Sequence, residues 1–217
     1  MKWLKNNSLS LIFFILFLVS IIGQALTGLT EHNKEMVDEG GASIDMLQYL
    51  SSGHFIQSTF ENWESEFFQM GLFVILTIFF YQKGSSESKD PDKKEDVDRE
   101  PNPLRKNAPW PVKKGGIYLG IYKHSLSYAL GLLFIVSFLL HWHGSLKDFN
   151  EEQQLKQLPA ETAVQYLGNS RLWFESFQNW QSEFLSVFAI VVLSIFLRDK
   201  GSPQSKPVDA PDSETGS

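Results

Sequence analysis

The sequence predicts an all-α integral membrane protein with four transmembrane helices, arranged as two parallel tandem-repeat helical hairpins. Three observations support this fold class. The apolar residues of the 217-residue chain gather in four blocks separated by polar stretches. Shifting the sequence by 117 positions aligns it with itself without a gap, and about a third of positions 8–85 match. Lysine and arginine residues concentrate on one side of the blocks, as they do on the cytoplasmic side of membrane proteins.

The clearest mark of the duplication is a motif that occurs twice. Residues 60–67 read Phe-Glu-Asn-Trp-Glu-Ser-Glu-Phe, and residues 177–184 read Phe-Gln-Asn-Trp-Gln-Ser-Glu-Phe. Each copy runs into an apolar block that is followed by a Lys-Gly-Ser triplet. A fixed internal period indicates a repeated structural unit, here of roughly 80 residues.

The first and third blocks, residues 9–29 and 126–145, are each about 20 residues long and mostly apolar. That length is enough for a helix to cross a hydrocarbon core of ~30 Å. Lys2 and Lys5 precede the first block, which also resembles the start of a secretory signal peptide. Because the equivalent block lies in the middle of the chain, we expect both to be membrane spans.

The second and fourth blocks, residues 67–81 and 184–197, are shorter and would cover only ~21 to 23 Å as helices. Upstream of each block, aromatic and aliphatic residues recur every three to five positions, which is a helical spacing. We therefore expect each helix to begin well outside the membrane. Three tryptophans fall where interfacial anchors are expected: Trp63, Trp142 and Trp180.

The remaining segments define the organisation of the chain. A charged, proline-containing run follows the second block, and a second proline-rich stretch ends the chain; both compositions are typical of disorder. The predicted parts are a first helical-hairpin repeat (1–84), a largely disordered cytoplasmic linker (85–116), a second helical-hairpin repeat (117–201) and a disordered C-terminal tail (202–217).

Eight lysines and arginines flank one side of the spans and four flank the other. The positive-inside rule then places both termini and the linker in the cytoplasm.

Five motifs together point to a known family. They are Gly-Gln-Ala-Leu-Thr-Gly (23–28), Asn-Trp-Glu-Ser-Glu-Phe (62–67), Ala-Pro-Trp-Pro-Val (108–112), the long motif at 173–184 and the segment 198–206. With them the chain resembles, over essentially its whole length, an uncharacterised family of bacterial membrane proteins defined only as a domain of unknown function. The resemblance implies a bacterial membrane location, and we expect the inner membrane. It implies no activity, ligand or catalytic residue.

Each predicted span carries one polar stripe, and the stripes hold the candidate site residues. Glu66 and Glu183 are expected about four residues, or ~6 Å, inside the membrane boundary. A carboxylate there is a functional hypothesis, unless it reaches the interface or is stabilised by the helix dipole. Four stripes turned inward would bring Gln24, Glu66, His141 and Glu183 together, where His141 and a carboxylate could exchange protons or hold a cation. Alternatively, Gln24 bonds Glu66 and His141 bonds Glu183, joining each hairpin.

Other chemistry has little support in the sequence. There is no cysteine, no phosphate-binding glycine loop, no nucleophile elbow and no His-Glu-x-x-His pattern. His141 and His143 point about 200° apart on a helix, so both cannot bind one ion. His32, His54 and His124 are isolated along the chain, and we interpret them as ordinary polar residues. We therefore predict no enzyme, no metal site and no cofactor. Nucleic-acid binding is not expected either, because acidic residues interrupt the lysines of the linker.

The function that follows is a multi-pass membrane protein of unknown biochemical role, most simply a non-enzymatic envelope scaffold or accessory protein. The alternative is a small permease or channel-like protein that moves a proton, a cation or a small solute past the polar cluster. The expected partners are the lipid bilayer and either a second copy of the chain or another envelope protein. Four helices form a thin wall around any pathway, so transport would require a dimer.

Overall fold

The computed structural model describes residues 2–216 and contains helices and turns, with no β-strand in that range. The helices in chain order are α1 (Lys2–Asn6), α2 (Ser8–Asp38), α3 (Met46–Leu50), α4 (Gly53–Phe79), α5 (Trp110–Lys114), α6 (Gly116–Lys123), α7 (Ser125–Leu155), α8 (Ala163–Tyr166) and α9 (Ser170–Phe196). A 3-10 turn covers Asp96–Asp98. The predicted all-helical fold class is confirmed.

The four long helices form two pairs of equal length. Helices α2 and α7 each have 31 residues, and α4 and α9 each have 27. Within each pair the first residues, Ser8 and Ser125 or Gly53 and Ser170, lie 117 positions apart. Within residues 2–216, α2, α7 and α9 are long and apolar enough to cross a membrane. The described part of the chain thus has three candidate spans, and the fourth expected span, in α4, stays a prediction.

Helices α4 and α9 begin well before the apolar blocks that they contain, as the aromatic spacing predicts. Each start has a side chain that satisfies a backbone N–H of the first turn, as helix N-termini require. The hydroxyl of Ser52 accepts from the N–H of Phe55 at 3.1 Å. The side-chain oxygen of Asn169 accepts from the N–H of Arg171 at 2.9 Å. Each polar connection therefore ends at a residue whose side chain caps the helix that follows.

The chain forms two compact units. The first unit comprises residues up to 61 and residues 137–173, and the second comprises residues 62–136 and those from 174 onward. Helices α4, α7 and α9 contribute residues to both. The division into two hairpins, a linker and a tail stays a prediction.

Two connections in the first unit are closed by asparagine side chains. Asn33 at the end of α2 donates to the carbonyl of Ile44 at 2.9 Å and accepts from its N–H at 2.7 Å. Asn150 makes the same pair with Glu161, at 2.9 and 2.8 Å. We call these paired hydrogen bonds the Asn33 clasp and the Asn150 clasp. Each fixes the chain as it turns back after a long helix.

A short helix follows each clasp and places a tyrosine in the core. Reciprocal side-chain bonds cap these helices, between Asp45 and Gln48 in α3 and between Thr162 and Gln165 in α8. Such capping boxes satisfy two backbone N–H groups at the helix start. Tyr49 and Tyr166, one from each short helix, are fully buried, together with Leu172. These side chains are the apolar core of the first unit.

The linker and the tail, for which the sequence predicts disorder, contain turns held by hydrogen bonds. Lys206 is 1% exposed, and its ammonium donates to the carbonyls of Pro211, Asp212 and Glu214 at 3.2, 3.1 and 2.9 Å. In the linker, the hydroxyl of Ser85 lies 3.0 Å from that of Ser194 in α9. Composition predicts disorder because these segments lack apolar residues. The turns are held by hydrogen bonds of polar side chains, and disorder of the two segments stays a prediction.

Candidate functional site

The four residues of the predicted polar cluster divide between the two units: Gln24 and His141 belong to the first, and Glu66 and Glu183 to the second. The amide of Gln24 donates to the hydroxyls of Ser58 and Thr59 in α4, at 3.3 and 3.2 Å. Its acceptors are therefore hydroxyl groups eight and seven residues before Glu66, the partner expected from the sequence. Gln24 does join α2 to α4, through a different part of α4.

His141 is fully buried in α7, and its Nε2 lies 3.9 Å from a carboxylate oxygen of Glu61. Glu61 also accepts from the side chain of Gln57 at 2.6 Å. A histidine beside a carboxylate was expected, but with Glu183 as the acid. Glu61 was missed because it lies five residues before Glu66, just outside the boundary predicted for that span.

Glu66 and Glu183 both belong to the second unit. Glu66 is exposed, Glu183 is half-buried, and each lies within electrostatic range of the other. A role for either acid inside the membrane stays a prediction.

The predicted tryptophan anchors have specific surroundings. The ring N–H of Trp180 donates to a carboxylate oxygen of Glu64 at 3.0 Å, and Glu64 is fully buried. The Trp180 ring also packs on Phe68, with centroids 4.6 Å apart. Trp180 thus satisfies a buried carboxylate. The ring nitrogen of Trp142 is buried with no hydrogen-bond partner among the described residues, and Trp63 is half-buried. Anchoring at the interface stays a prediction for all three.

A second group of polar residues, which the sequence did not single out, lies in the first unit. The potential ligand atoms of His32, Glu35 and His54 all lie within 4.8 Å of one another. His32 and Glu35 are one turn apart on α2, so they share a face of that helix. His54 is in the first turn of α4, and the two imidazole rings have centroids 5.0 Å apart. We call these three residues the His-Glu-His group.

Burial differs within the His-Glu-His group. His32 is 5% exposed, His54 is half-buried and Glu35 is exposed. The group lines a cavity of about 310 Å³. Five carboxylates line the same cavity: Glu35, Glu39, Asp148, Glu151 and Glu152. Acidic side chains of this density attract a cation.

Tyr49 fixes the ring of His54. Its hydroxyl lies 3.1 Å from His54 Nδ1. Burial, followed by the charges of Asp148 and Glu35, raises the pKa of Tyr49 to about 12, so the hydroxyl stays protonated at neutral pH. A side chain on Gly28 of α2 would collide with this hydroxyl, so the glycine makes room for it. With Nδ1 in this contact, Nε2 is the nitrogen that His54 has left for a ligand.

In the second copy, near the Asn150 clasp, an arginine neutralises the acidic side chains. Arg171 pairs with Asp148 at 2.5 Å and with Glu152 at 2.6 Å. Arg171 lies 117 positions after His54, and Glu152 lies 117 positions after Glu35. At the same offset from His32 stands Phe149. The second copy therefore supplies an arginine cation to its acid Glu152, whereas the first copy places two imidazoles beside Glu35.

The His-Glu-His group offers two imidazole nitrogens and one carboxylate oxygen, a donor set that suits Zn²⁺ and neighbouring divalent metals. Sequence reasoning missed it because His32 and His54 are 22 positions apart. Two signals were present: the i, i+3 spacing of His32 and Glu35, and the replacement of His54 by Arg171 in the second copy. Neither reveals by itself that the connection folds back on α2.

Comparison with known proteins is informative at the level of the family alone. Neither the curated proteins nor the solved structures gave a match. A family model described as "Domain of unknown function (DUF6766)" matches residues 1–217, which is the whole chain. The resemblance to an uncharacterised family is thereby confirmed. The chain belongs to the DUF6766 family, a domain of unknown function.

Proposed function

We propose that the chain crosses the bacterial inner membrane four times, as two tandem hairpins that run the same way. The repeated bounds of the long helices support a tandem duplication, because α4 has the length of α9 and begins 117 positions earlier. Its 27 residues extend ~40 Å at 1.5 Å per residue, longer than a hydrocarbon core of ~30 Å. Ile78 and Phe79 near its end are exposed, as lipid-facing side chains are. Helix α4 is then the fourth span.

In this topology both termini and the linker are cytoplasmic, and the Asn33 and Asn150 clasps lie outside. The proposal rests on the excess of lysine and arginine on the linker side. Because the two hairpins share one direction, their symmetry axis follows the membrane normal, as in parallel repeats.

Single cysteines test this topology, since the chain has none of its own. Leu47 in α3 is 79% exposed and Leu104 in the linker is 90% exposed. We expect a membrane-impermeant maleimide to label Leu47→Cys in intact spheroplasts and Leu104→Cys only after permeabilisation. Labelling of both from the same side would contradict the four-span arrangement.

The role that we propose is that of a non-enzymatic accessory or scaffold protein of the cell envelope. The observation that carries it is the number of specific contacts in the two connections that follow α2 and α7, which the topology places outside. Two clasps, two capping boxes and two fully buried tyrosines hold them in place. A connection that serves only to link two spans needs none of these contacts, since ordering each residue costs about 1–2 kcal/mol. A surface held in one conformation suits a binding partner, either a second copy or another envelope protein.

The alternative is a small permease or channel-like protein. One observation favours it: Glu66 and Glu183 lie within electrostatic range of each other in the second unit. Intramembrane carboxylates are costly and commonly mark ion or proton pathways. In this reading the two acids would carry a proton, a cation or a small solute.

Complementation of a deletion strain separates the two roles. The accessory role predicts that Glu66→Gln with Glu183→Gln restores the wild-type phenotype in full, whereas Asn33→Ala with Asn150→Ala restores it in part. The reason is that the first pair changes only intramembrane charge and the second opens both clasps. Membrane levels of each variant are measured by immunoblot, and Glu31→Gln with Asp38→Asn, two exposed acids, is the control.

The permease reading predicts the reverse. Purified protein in proteoliposomes would then show a pH-dependent flux that disappears in the Glu66→Gln, Glu183→Gln variant. Flux that is absent, or that ignores both substitutions, rejects transport. Failed complementation by the glutamine pair at wild-type membrane levels rejects the accessory role.

A further inference from the structure

We propose that His32, Glu35 and His54 bind one divalent transition-metal ion of the Zn²⁺ class. The inference rests on the proposed function in one respect only, which is that the four-span topology places the site outside the cytoplasm. The site itself is argued from contacts within the first unit. Binding in detergent therefore tests it without reference to topology.

The geometry of the His-Glu-His group is close to that of a metal site. In a tetrahedral zinc site, bonds of about 2.0–2.2 Å place neighbouring ligand atoms about 3.4 Å apart. The ligand atoms here lie within 4.8 Å of one another. Glu35 is exposed and can change rotamer, so it can close the remaining distance. Two histidines and one carboxylate leave a fourth position for water, which permits reversible binding.

Tyr49 supplies the outer contact that such a site requires. A histidine that binds a metal through one ring nitrogen donates the N–H of the other to an acceptor, which orients the ring. The hydroxyl of Tyr49, 3.1 Å from His54 Nδ1, is that acceptor. Its ring also packs against both imidazoles, with centroids 5.6 Å from His32 and 5.8 Å from His54. Tyr49 is thus a positioning residue for His54.

Comparison of the two copies shows what His54 replaces. The guanidinium of Arg171 neutralises Glu152 by direct contact at 2.6 Å. At the equivalent place in the first copy stands His54, and among residues 2–216 no lysine or arginine forms an ion pair with Glu35. An imidazole that coordinates a metal must be neutral, so the positive charge at this position would come from the ion. The bound metal would then take the electrostatic place that Arg171 fills in the second copy.

The surroundings favour a cation over any other ligand. Five carboxylates line the cavity, together with only the two imidazoles as basic groups. The nearby Arg171 already pairs with Asp148 and Glu152. Burial of His32 at 5% exposure limits the ligand to a small ion. Glu35 is exposed, so the group can be reached from solvent at this side chain. Nitrogen donors select zinc and its neighbours over calcium and magnesium, which prefer oxygen ligands.

The test uses the full chain, purified in detergent without a polyhistidine tag and freed of metal with a chelator. Zn²⁺ is titrated in competition with a chromophoric chelator, and Co²⁺ is added separately to report coordination by its visible absorption. We expect one Zn²⁺ per chain and the Co²⁺ bands of a four- or five-coordinate site. Saturating Zn²⁺ is expected to raise the unfolding temperature, because it binds the folded state.

The matched variants are His54→Arg and His32→Phe, which copy the residues found 117 positions later. Both side chains are already accommodated in the second copy, as Arg171 and Phe149, so both variants are expected to fold. Each should weaken Zn²⁺ binding by more than about 100-fold, since it removes a ligand. Tyr49→Phe should weaken binding about 10- to 100-fold, the range for outer-contact residues. His124→Gln, which alters an exposed histidine far along the chain, should bind as wild type.

Several results would overturn the site. The site is rejected if the wild-type protein binds no Zn²⁺, if wild type and His54→Arg bind Zn²⁺ with equal affinity, or if His124→Gln loses binding. Mg²⁺ competing with Zn²⁺ at equal concentration would also contradict the nitrogen donors. Should labelling of Leu47→Cys disprove the topology while Zn²⁺ binds as described, the metal site stands and only its compartment changes.

Discussion

Replacing Arg171 with methionine is expected to lower the free energy of unfolding by about 3 kcal/mol, because it leaves a buried acid without its cation. Asp148 is 7% exposed and bonds Arg171 at 2.5 Å. Removing one partner of a buried ion pair commonly costs about 3–5 kcal/mol. The lower end applies because the Arg171 side chain is 28% exposed, so water can enter and solvate part of the charge left behind. Titration with SDS in mixed micelles, followed by tryptophan fluorescence, measures the change.

Two further variants show whether the loss comes from the unpaired charge. Adding Asp148→Asn to Arg171→Met removes the charge that lost its partner and should recover much of the stability. The control is Lys156→Met, which breaks more exposed ion pairs with Glu39 and Glu152 at 3.6 and 3.5 Å. It is expected to cost less than about 1 kcal/mol. Equal losses in Arg171→Met and Lys156→Met would show that burial of Asp148 does not matter.

The long helices could be predicted from the sequence because their apolar and aromatic residues repeat with a helical period. The early starts of α4 and α9, at Gly53 and Ser170, follow from the spacing upstream of the apolar blocks. Single-residue contacts between helices could not be predicted in the same way. Depth counted from the blocks pairs Gln24 with Glu66, whereas its acceptors are Ser58 and Thr59. The register of α4 against α2 depends on the connection between them, and hydropathy does not describe it.

The His-Glu-His group shows the same limit. His32 and Glu35 are visible as neighbours on one helix face, but His54 joins them only after the Asn33 clasp and α3 have turned the chain. The clasp uses one polar side chain against the backbone, a contact that no apolar pattern encodes. What the sequence did contain is the repeat itself. Aligning the copies places His54 on Arg171 and Glu35 on Glu152, and that exchange of a permanent cation for a neutral ligand is the signal.

The burial of Lys206 is a feature that composition does not predict. A charged, proline-rich tail has too few apolar residues for a core, which is the reason to expect disorder. The Lys206 ammonium donates hydrogen bonds to three backbone carbonyls within 3.2 Å. Burial lowers the pKa of Lys206, and the nearby charge of Arg198 lowers it further. The turn is therefore held by polar contacts, whose partners depend on the path of the chain.

Replacing Gly144 with valine is expected to prevent correct packing of the first unit, at a cost of about 3 kcal/mol, the upper end of the usual range for overpacking. A Cβ atom at this position would lie 2.8 Å from Ile56 Cγ2 and 2.9 Å from the carbonyl carbon of the same residue. On the other helix, a Cβ on Gly53 would lie 2.8 Å from the Gly144 carbonyl oxygen. The backbones of α4 and α7 thus touch at two glycines, as membrane helices do at small residues. A side-chain rotation cannot relieve a collision with backbone, so the helices must separate.

Gly131→Val is the matched control, because it makes the same substitution in the same helix at a position with no atom within 4 Å of the added Cβ. It should fold as wild type, since valine has a slightly higher helix propensity than glycine. Unfolding in SDS and the elution volume in detergent are measured for both. A Gly144→Val protein as stable as Gly131→Val would mean that the helices do not approach closely at this point.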